Sequence, residues 1–134
     1  MDKLKVNDFV EVNISYSLNT VSEFAKVTGD NNPIHIDPKF AETTVFKKPI
    51  VHGALLTSTF SKILASDLPG PGTIYLGQDT KFLAPVFHDT EITIRVQIIE
   101  IRNDKGIYTL KTTALDKKQN TLLAEGKAVV KYNN

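Results

Sequence analysis

His52-Gly53-Ala54-Leu55-Leu56-Thr57-Ser58-Thr59-Phe60-Ser61-Lys62-Ile63-Leu64-Ala65-Ser66 is the stretch where the hydropathy period of the chain changes. Leu56, Phe60, Ile63 and Leu64 recur at helical spacing, and Leu55 and Ala65 widen the stripe. This length predicts a helix of about 22 Å. It must stop at Leu68-Pro69-Gly70-Pro71-Gly72, a cluster of helix breakers. Downstream the period falls to two, the mark of strands. Strands are expected over 73–83, 90–101, 106–115 and 121–132. Ile92, Ile94, Val96 and Ile98 share a face, and the phase slips at Ile98-Ile99, as at a bulge. In the last strand Leu122, Ala124, Gly126, Ala128 and Val130 share a face. The turns Asn103–Gly106 and Lys117–Asn120 are short, so these strands are expected to be antiparallel hairpins.

Upstream, residues 9–18 alternate, with Val10, Val12, Ile14, Tyr16 and Leu18 on one face of an expected strand. Thr20-Val21-Ser22-Glu23 has capping-box spacing, with Thr20 as N-cap. The helix it opens should turn Val21, Phe24 and Val27 inward and end at Gly29. Asp37-Pro38 predicts a second short helix running to about Thr44. One long apolar helix with about five antiparallel strands is an α+β architecture. No repeat or linker interrupts residues 1–134, which read as a single domain. One helix covers one face of a sheet, and a symmetric dimer that pairs edge strands is a natural way to manage the exposed edges.

Composition narrows the chemistry. In 134 residues, 16 Lys+Arg nearly cancel 15 Asp+Glu, a balance unlike the basic stripe of a nucleic-acid binder. The absence of cysteine excludes a disulfide scaffold, a thiolate zinc site and a cysteine nucleophile. Met1-Asp2-Lys3-Leu4-Lys5 has no apolar core of a secretory signal, and no apolar run is long enough to span a bilayer. A soluble, cytoplasmic chain without membrane or nucleic-acid partners is the expectation. Only three histidines are available for acid–base work.

The chemistry gathers in Gly29-Asp30-Asn31-Asn32-Pro33-Ile34-His35, where a carboxylate, two amides and an imidazole share seven residues. Pro33 fixes its own φ and restricts Asn32, which stiffens the loop and suits it to hold an acid–base pair. Asp30 and Asn31 read equally as turn formers, and His35 as a satisfied structural histidine. Pro49-Ile50-Val51-His52-Gly53 leads into the long helix. A helix N-terminus offers unpaired N–H groups, and Gly53 lets a ligand carbonyl approach closely, or else lets helix and sheet pack closely. His88, between Phe87 and Asp89, reads as an exposed turn residue. A metal cluster of Asp30, His35 and Asp37 lacks a recognised ligand spacing, so no metal is expected. Lys47 and Lys48 sit ahead of the helix, as phosphate contacts or ordinary surface charge.

Phe24-Ala25-Lys26-Val27-Thr28-Gly29-Asp30-Asn31-Asn32-Pro33-Ile34-His35, with Ala41 six residues on, resembles the signature of the MaoC-like, (R)-specific enoyl-CoA hydratases. Pro49–Gly53 resembles the second block of that family, and Ile74-Tyr75-Leu76-Gly77-Gln78 through Phe82 and Pro85-Val86 its third. The similarity covers roughly residues 20–132 and departs at none of the key positions; the length matches the short bacterial form associated with polyhydroxyalkanoate precursor supply. The resemblance implies a hot-dog fold, a long helix wrapped by an antiparallel sheet, paired as a homodimer or a higher oligomer. It implies reversible addition of water to a trans-2-enoyl thioester, giving the (R)-3-hydroxyacyl thioester. In that scheme Asp30 is the general base on the attacking water, His35 shares the water and passes a proton to C2, and Asn32 holds the loop or the water. The Gly53 N–H is the oxyanion donor. Pro49, Ile50, Val51, His52 and Tyr75 are candidate substrate contacts; His52 also reads as a second catalytic histidine or, beside a capping glycine, as a structural one, and Tyr75 on a strand as a packing residue. No cofactor beyond the substrate's own coenzyme A is implied. The same pair serves a (3R)-hydroxyacyl-carrier-protein dehydratase. A hot-dog thioesterase and a non-catalytic acyl-CoA-binding module are the remaining readings.

Overall fold

In the computed structural model, residues 3–133 are described; Met1, Asp2 and Asn134, including the first two residues of the N-terminal segment discussed above, lie outside them. The elements run β1 (Phe9–Ile14), α1 (Leu18–Thr28), α2 (Pro33–Ile36), α3 (Pro38–Glu42), α4 (Gly53–Ser66), β2 (Ile74–Phe82), β3 (Ile92–Arg102), β4 (Ile107–Asp116) and β5 (Thr121–Lys131). The five strands form one antiparallel sheet in the order β1-β3-β4-β5-β2.

Helix α4 lies on this sheet as the hot-dog arrangement requires. Leu56, Phe60, Ile63 and Leu64 are all buried, as the stripe predicts, and share one core with Ile92, Ile94, Val96 and Ile98 of β3. Leu110 and Ala114 of β4 and Ala124, Ala128 and Val130 of β5 complete it. Burying each of the large side chains contributes roughly 1.5–3 kcal/mol. The register of β3 against β4 shifts between Ile98 and Glu100, where the sequence slips phase, and Ile99 turns outward.

The N-terminal third departs from its periodicity. Strand β1 stops at Ile14, so Tyr16 and Leu18 leave the expected strand. Tyr16 is buried nonetheless, and its hydroxyl meets Thr59 Oγ1 on α4 at 2.6 Å. Burial pushes its phenol up to about 12, against the opposing effect of that bond. The N-cap of α1 is Ser17, whose Oγ accepts from Thr20 N at 3.1 Å, one turn before the expected cap at Thr20. Moving the helix start leaves Val27 on the solvent side, 87 % exposed, and puts Ala25 inward beside Val21. Gly29 closes the helix in the left-handed region, φ 80°, donating its N–H to the Ala25 carbonyl. Asp37 caps α3 as expected, accepting from Lys39 N and Phe40 N, although the helix ends at Glu42.

Candidate active site

The loop after α1 is built from side-chain bonds to its own backbone. Asp30 Oδ1 accepts from Asn32 N at 3.4 Å, and Asn32 Oδ1 accepts from Ile34 N at 3.2 Å, starting the single turn α2 with Pro33 at its first position. Asn32 therefore spends its amide oxygen on the loop. That turn swings His35 toward the segment before α4. Ile50 N donates to the Ile34 carbonyl at 3.1 Å, and His35 Nδ1 meets the Ile50 carbonyl at 2.8 Å. A carbonyl only accepts, so Nδ1 carries the proton and Nε2 is the ring atom left for chemistry. The Ile50–Phe87 bridge and the Val51 N–H to the Val86 carbonyl, 2.7 Å, fasten this segment to the chain beyond β2.

Two histidines meet here. The rings of His35 and His52 stack with centroids 3.8 Å apart and planes at 26°. His52 Nε2 donates to the Asp30 main-chain carbonyl at 3.1 Å. Asp30, His35 and His52 each bring a ligand-type atom within 4.8 Å of the others. They are the group that could grip a cation, yet each imidazole has committed one N–H to a carbonyl and keeps a single lone pair. Asp37, considered for a metal cluster with them, is occupied as the cap of α3. Partial burial pulls the His35 pKa below its ordinary value of 6.5, and the Ile50 carbonyl opposes that. Nearby His52 and His88 lower it further, whereas Asp30 raises it. His88 is accordingly not the exposed residue expected: it is half-buried, with Nε2 enclosed and unpartnered among the described residues.

His35, Ile50, Val51, His52 and Gly53 line one cavity of about 490 Å³, closed by Phe46, Leu56 and Phe82–Val86. Gly53 is the first residue of α4, and its N–H has no acceptor among the described residues. The ring of Phe82 lies over it, close enough that an added Cβ would sit 2.8 Å from Cζ. The close-packing reading of Gly53 is met by this contact, and its N–H is left open beside it. Asp30, Asn32, Pro49 and Tyr75 are not among the lining residues. Tyr75 faces a shallower groove along α4 with Ser58 and Ser61, donating its hydroxyl to Gln78 Oε1 at 2.5 Å. Lys48 stacks over the Phe87 ring, 4.4 Å from its centroid. A larger depression, about 970 Å³, lies at the β3–β4 turn and offers lysines, Asp104 and two tyrosines but no histidine. The smaller cavity is the one that His35 and His52 line.

The profile of the MaoC like domain matches residues 5–120. The chain belongs to the MaoC-like family. Among MaoC-like proteins, it is 44% identical over 128 residues to an (R)-specific enoyl-CoA hydratase of Aeromonas caviae, covering 96% of this chain and 95% of that one. A solved structure of the A. caviae (R)-hydratase involved in PHA biosynthesis superposes with a TM-score of 0.94 at 42% identity, covering 99% of this chain and 100% of that chain. A mitochondrial 3-hydroxyacyl-[acyl-carrier-protein] dehydratase of Arabidopsis thaliana is 35% identical, over 90% of this chain and 72% of its own. Among the described residues of this MaoC-like chain, no helix is long and apolar enough to cross a membrane.

The sequence singles out Asp30, Asn32, His35 and Gly53 and offers His52 as a substrate contact, but it does not show the bond of His52 to Asp30 or the cover of Phe82 over Gly53. Both act through atoms distant along the chain, a carbonyl 22 residues upstream for His52 and the first turn of α4 for Phe82, so no local spacing records them.

Proposed function

We propose that this protein is an (R)-specific enoyl-CoA hydratase, adding water across one face of a trans-2-enoyl-CoA to give the (R)-3-hydroxyacyl-CoA. The observation that carries the reading is His35 in the wall of a cavity that continues into the N-terminus of α4, with a carboxylate oxygen of Asp30 within 4.8 Å of its ring nitrogen. The Asp30 carboxylate and His35 Nε2 hold one water between them. Sequence reasoning gave the base role to Asp30. The Nδ1–H committed to Ile50 supports a different division, with Nε2 taking the water's proton and Asp30 orienting the water and stabilising the imidazolium. As the oxygen bonds to C3, the C2–C3 π pair moves onto C2 and the thioester carbonyl. The Gly53 N–H, at the positive end of the helix dipole, stabilises that enolate. Nε2–H then returns the proton to C2 on the same face, and the pair is as it began. No metal, flavin or nicotinamide enters. Ile50, Val51 and Gly53 are the substrate's walls, and Asn32 holds the loop.

The relationship to a carrier-protein dehydratase favours a second reading in which the same chemistry runs toward the enoyl thioester. Turnover of paired coenzyme A and carrier-protein thioesters separates the two. The decisive assay is hydration of crotonyl-CoA with the chirality of the product determined. An (R) product is expected, with loss of enoyl absorbance and no free thiol. An (S) product sinks the reading, and released thiol would make the protein a thioesterase. Asp30→Asn and His35→Gln should each lower kcat by roughly 100-fold or more while folding normally. We further propose that the chain acts as one domain in the cytoplasm and as a homodimer. Ile74, Leu76, Phe82 and Leu83 of the outer strand β2 and its extension are all more than half exposed, which supports a second copy at that edge.

A further inference from the structure

We infer that His52 is a positioning residue, holding the Asp30 main chain through its Nε2–H and the His35 ring by face-to-face stacking. This inference rests on the hydratase reading of the same site. His52 occupies the N-cap position of α4 but makes no capping bond to that helix. Its ring is turned instead to the loop, where Nε2 donates to the Asp30 carbonyl at 3.1 Å. The ring is 1 % exposed, stacks on His35 at 3.8 Å and packs against Phe24 at 4.9 Å. Because a carbonyl only accepts, the neutral ring carries its proton on Nε2. Nδ1 is left buried and unpartnered among the described residues, a costly arrangement for a group whose role is merely to fill space.

The consequence is positional. His52 immediately precedes Gly53, so one side chain ties the acid–base loop to the helix end that carries the oxyanion donor. It also fixes the ring plane of His35 without occupying either of its nitrogens. The charged and titratable groups that bear on His35 are Asp30 from its own loop, His52 from the start of α4 and His88 from beyond β2. His52 is the one in contact with both members of the pair. A misplacement of about 1 Å at a reacting group costs on the order of 100-fold in rate.

The test uses the full chain and crotonyl-CoA. His52→Phe keeps a stacking ring and loses the donor; kcat should fall roughly 100-fold with KM close to wild type, since the cavity walls remain. His52→Gln restores an N–H donor and should recover about tenfold of that loss. The inference is overturned if His52→Phe keeps kcat within about threefold of wild type, or if the loss appears in KM alone. Nitrogen-15 NMR of the wild-type rings is independent of whether variants fold. The Nε2–H tautomer of His52 at neutral pH supports the tether, and the Nδ1–H tautomer contradicts it. A wild-type chain that hydrates no enoyl thioester overturns the hydratase reading and this inference together. A hydrating wild type with a silent His52→Phe overturns the inference alone.

Discussion

Gly53 combines close packing with the donor role proposed for its N–H. A methyl there would meet the far edge of the Phe82 ring, a side chain 54 % exposed and able to swing away. Gly53→Ala should therefore fold, with a thermal midpoint near wild type, but crowd the cavity and lower kcat/KM by about tenfold through a displaced donor. His35 gives a pH prediction. Its pKa is held below 6.5 chiefly by desolvation, and its working form is the one with Nε2 bare. The rate of hydration should be level through neutral pH and fall only on the acid side, below the ordinary histidine range. A profile that rises on acidification would instead return the base role to Asp30. The depressed pKa also means that the unfolded chain binds the proton first, so this residue's contribution to stability is lost as the pH falls below 6.5. At this scale the sequence was readable wherever neighbours in the chain are neighbours in space, as in Asp30-x-Asn32-Pro33-x-His35. It offers His52 as a substrate contact but does not show its tie to the loop, because the partner is a main-chain carbonyl.

Elements were legible where the pattern and the packing share one cause. The stripe of α4 and the alternation of β3 follow directly from burial in a common core, and the phase slip at Ile98-Ile99 marks a real register shift. The start of α1 was misread because two residues with capping chemistry, Ser17 and Thr20, stand three apart. Alternation running past Ile14 made the first of them look like strand. Ser17→Ala should cost about 1 kcal/mol in urea unfolding, whereas Thr20→Ala removes no cap to the α1 backbone. Strand β2 meets β5 at Gly126, where any side chain would overlap the Asp79 carbonyl. Backbone cannot yield as Phe82 can, so Gly126→Ala should destabilise by about 3 kcal/mol in the same measurement. The sequence placed Gly126 on the inner face but gave no sign of how near the neighbouring strand comes.

Across the whole molecule, the strand order leaves two edges, β1 and β2, and treats them differently. At β1, Arg95 covers Phe9 at 3.8 Å and pairs with Glu11 at 3.2 Å, a polar finish to the sheet. At β2, Ile74, Leu76 and Phe82 stand open. If the proposed dimer forms at this edge, Leu76→Lys should shift it to monomer in sedimentation velocity, and an unchanged sedimentation coefficient would remove β2 as the contact. Which strand would be outermost was beyond the periodicity of any one segment. The β3–β4 and β4–β5 hairpins follow from short turns, but the pairings β1–β3 and β2–β5 join segments far apart in the chain, which no short turn records.

The bond from His35 Nδ1–H to the Ile50 carbonyl has one more effect. That N–H is a donor whether the ring is neutral or cationic. As a proton arrives at and leaves Nε2, the ring keeps its anchor and need not flip between turnovers. In the proposed reaction the imidazole is then a fixed socket for a travelling proton, with the reorganisation cost of each cycle met once, during folding.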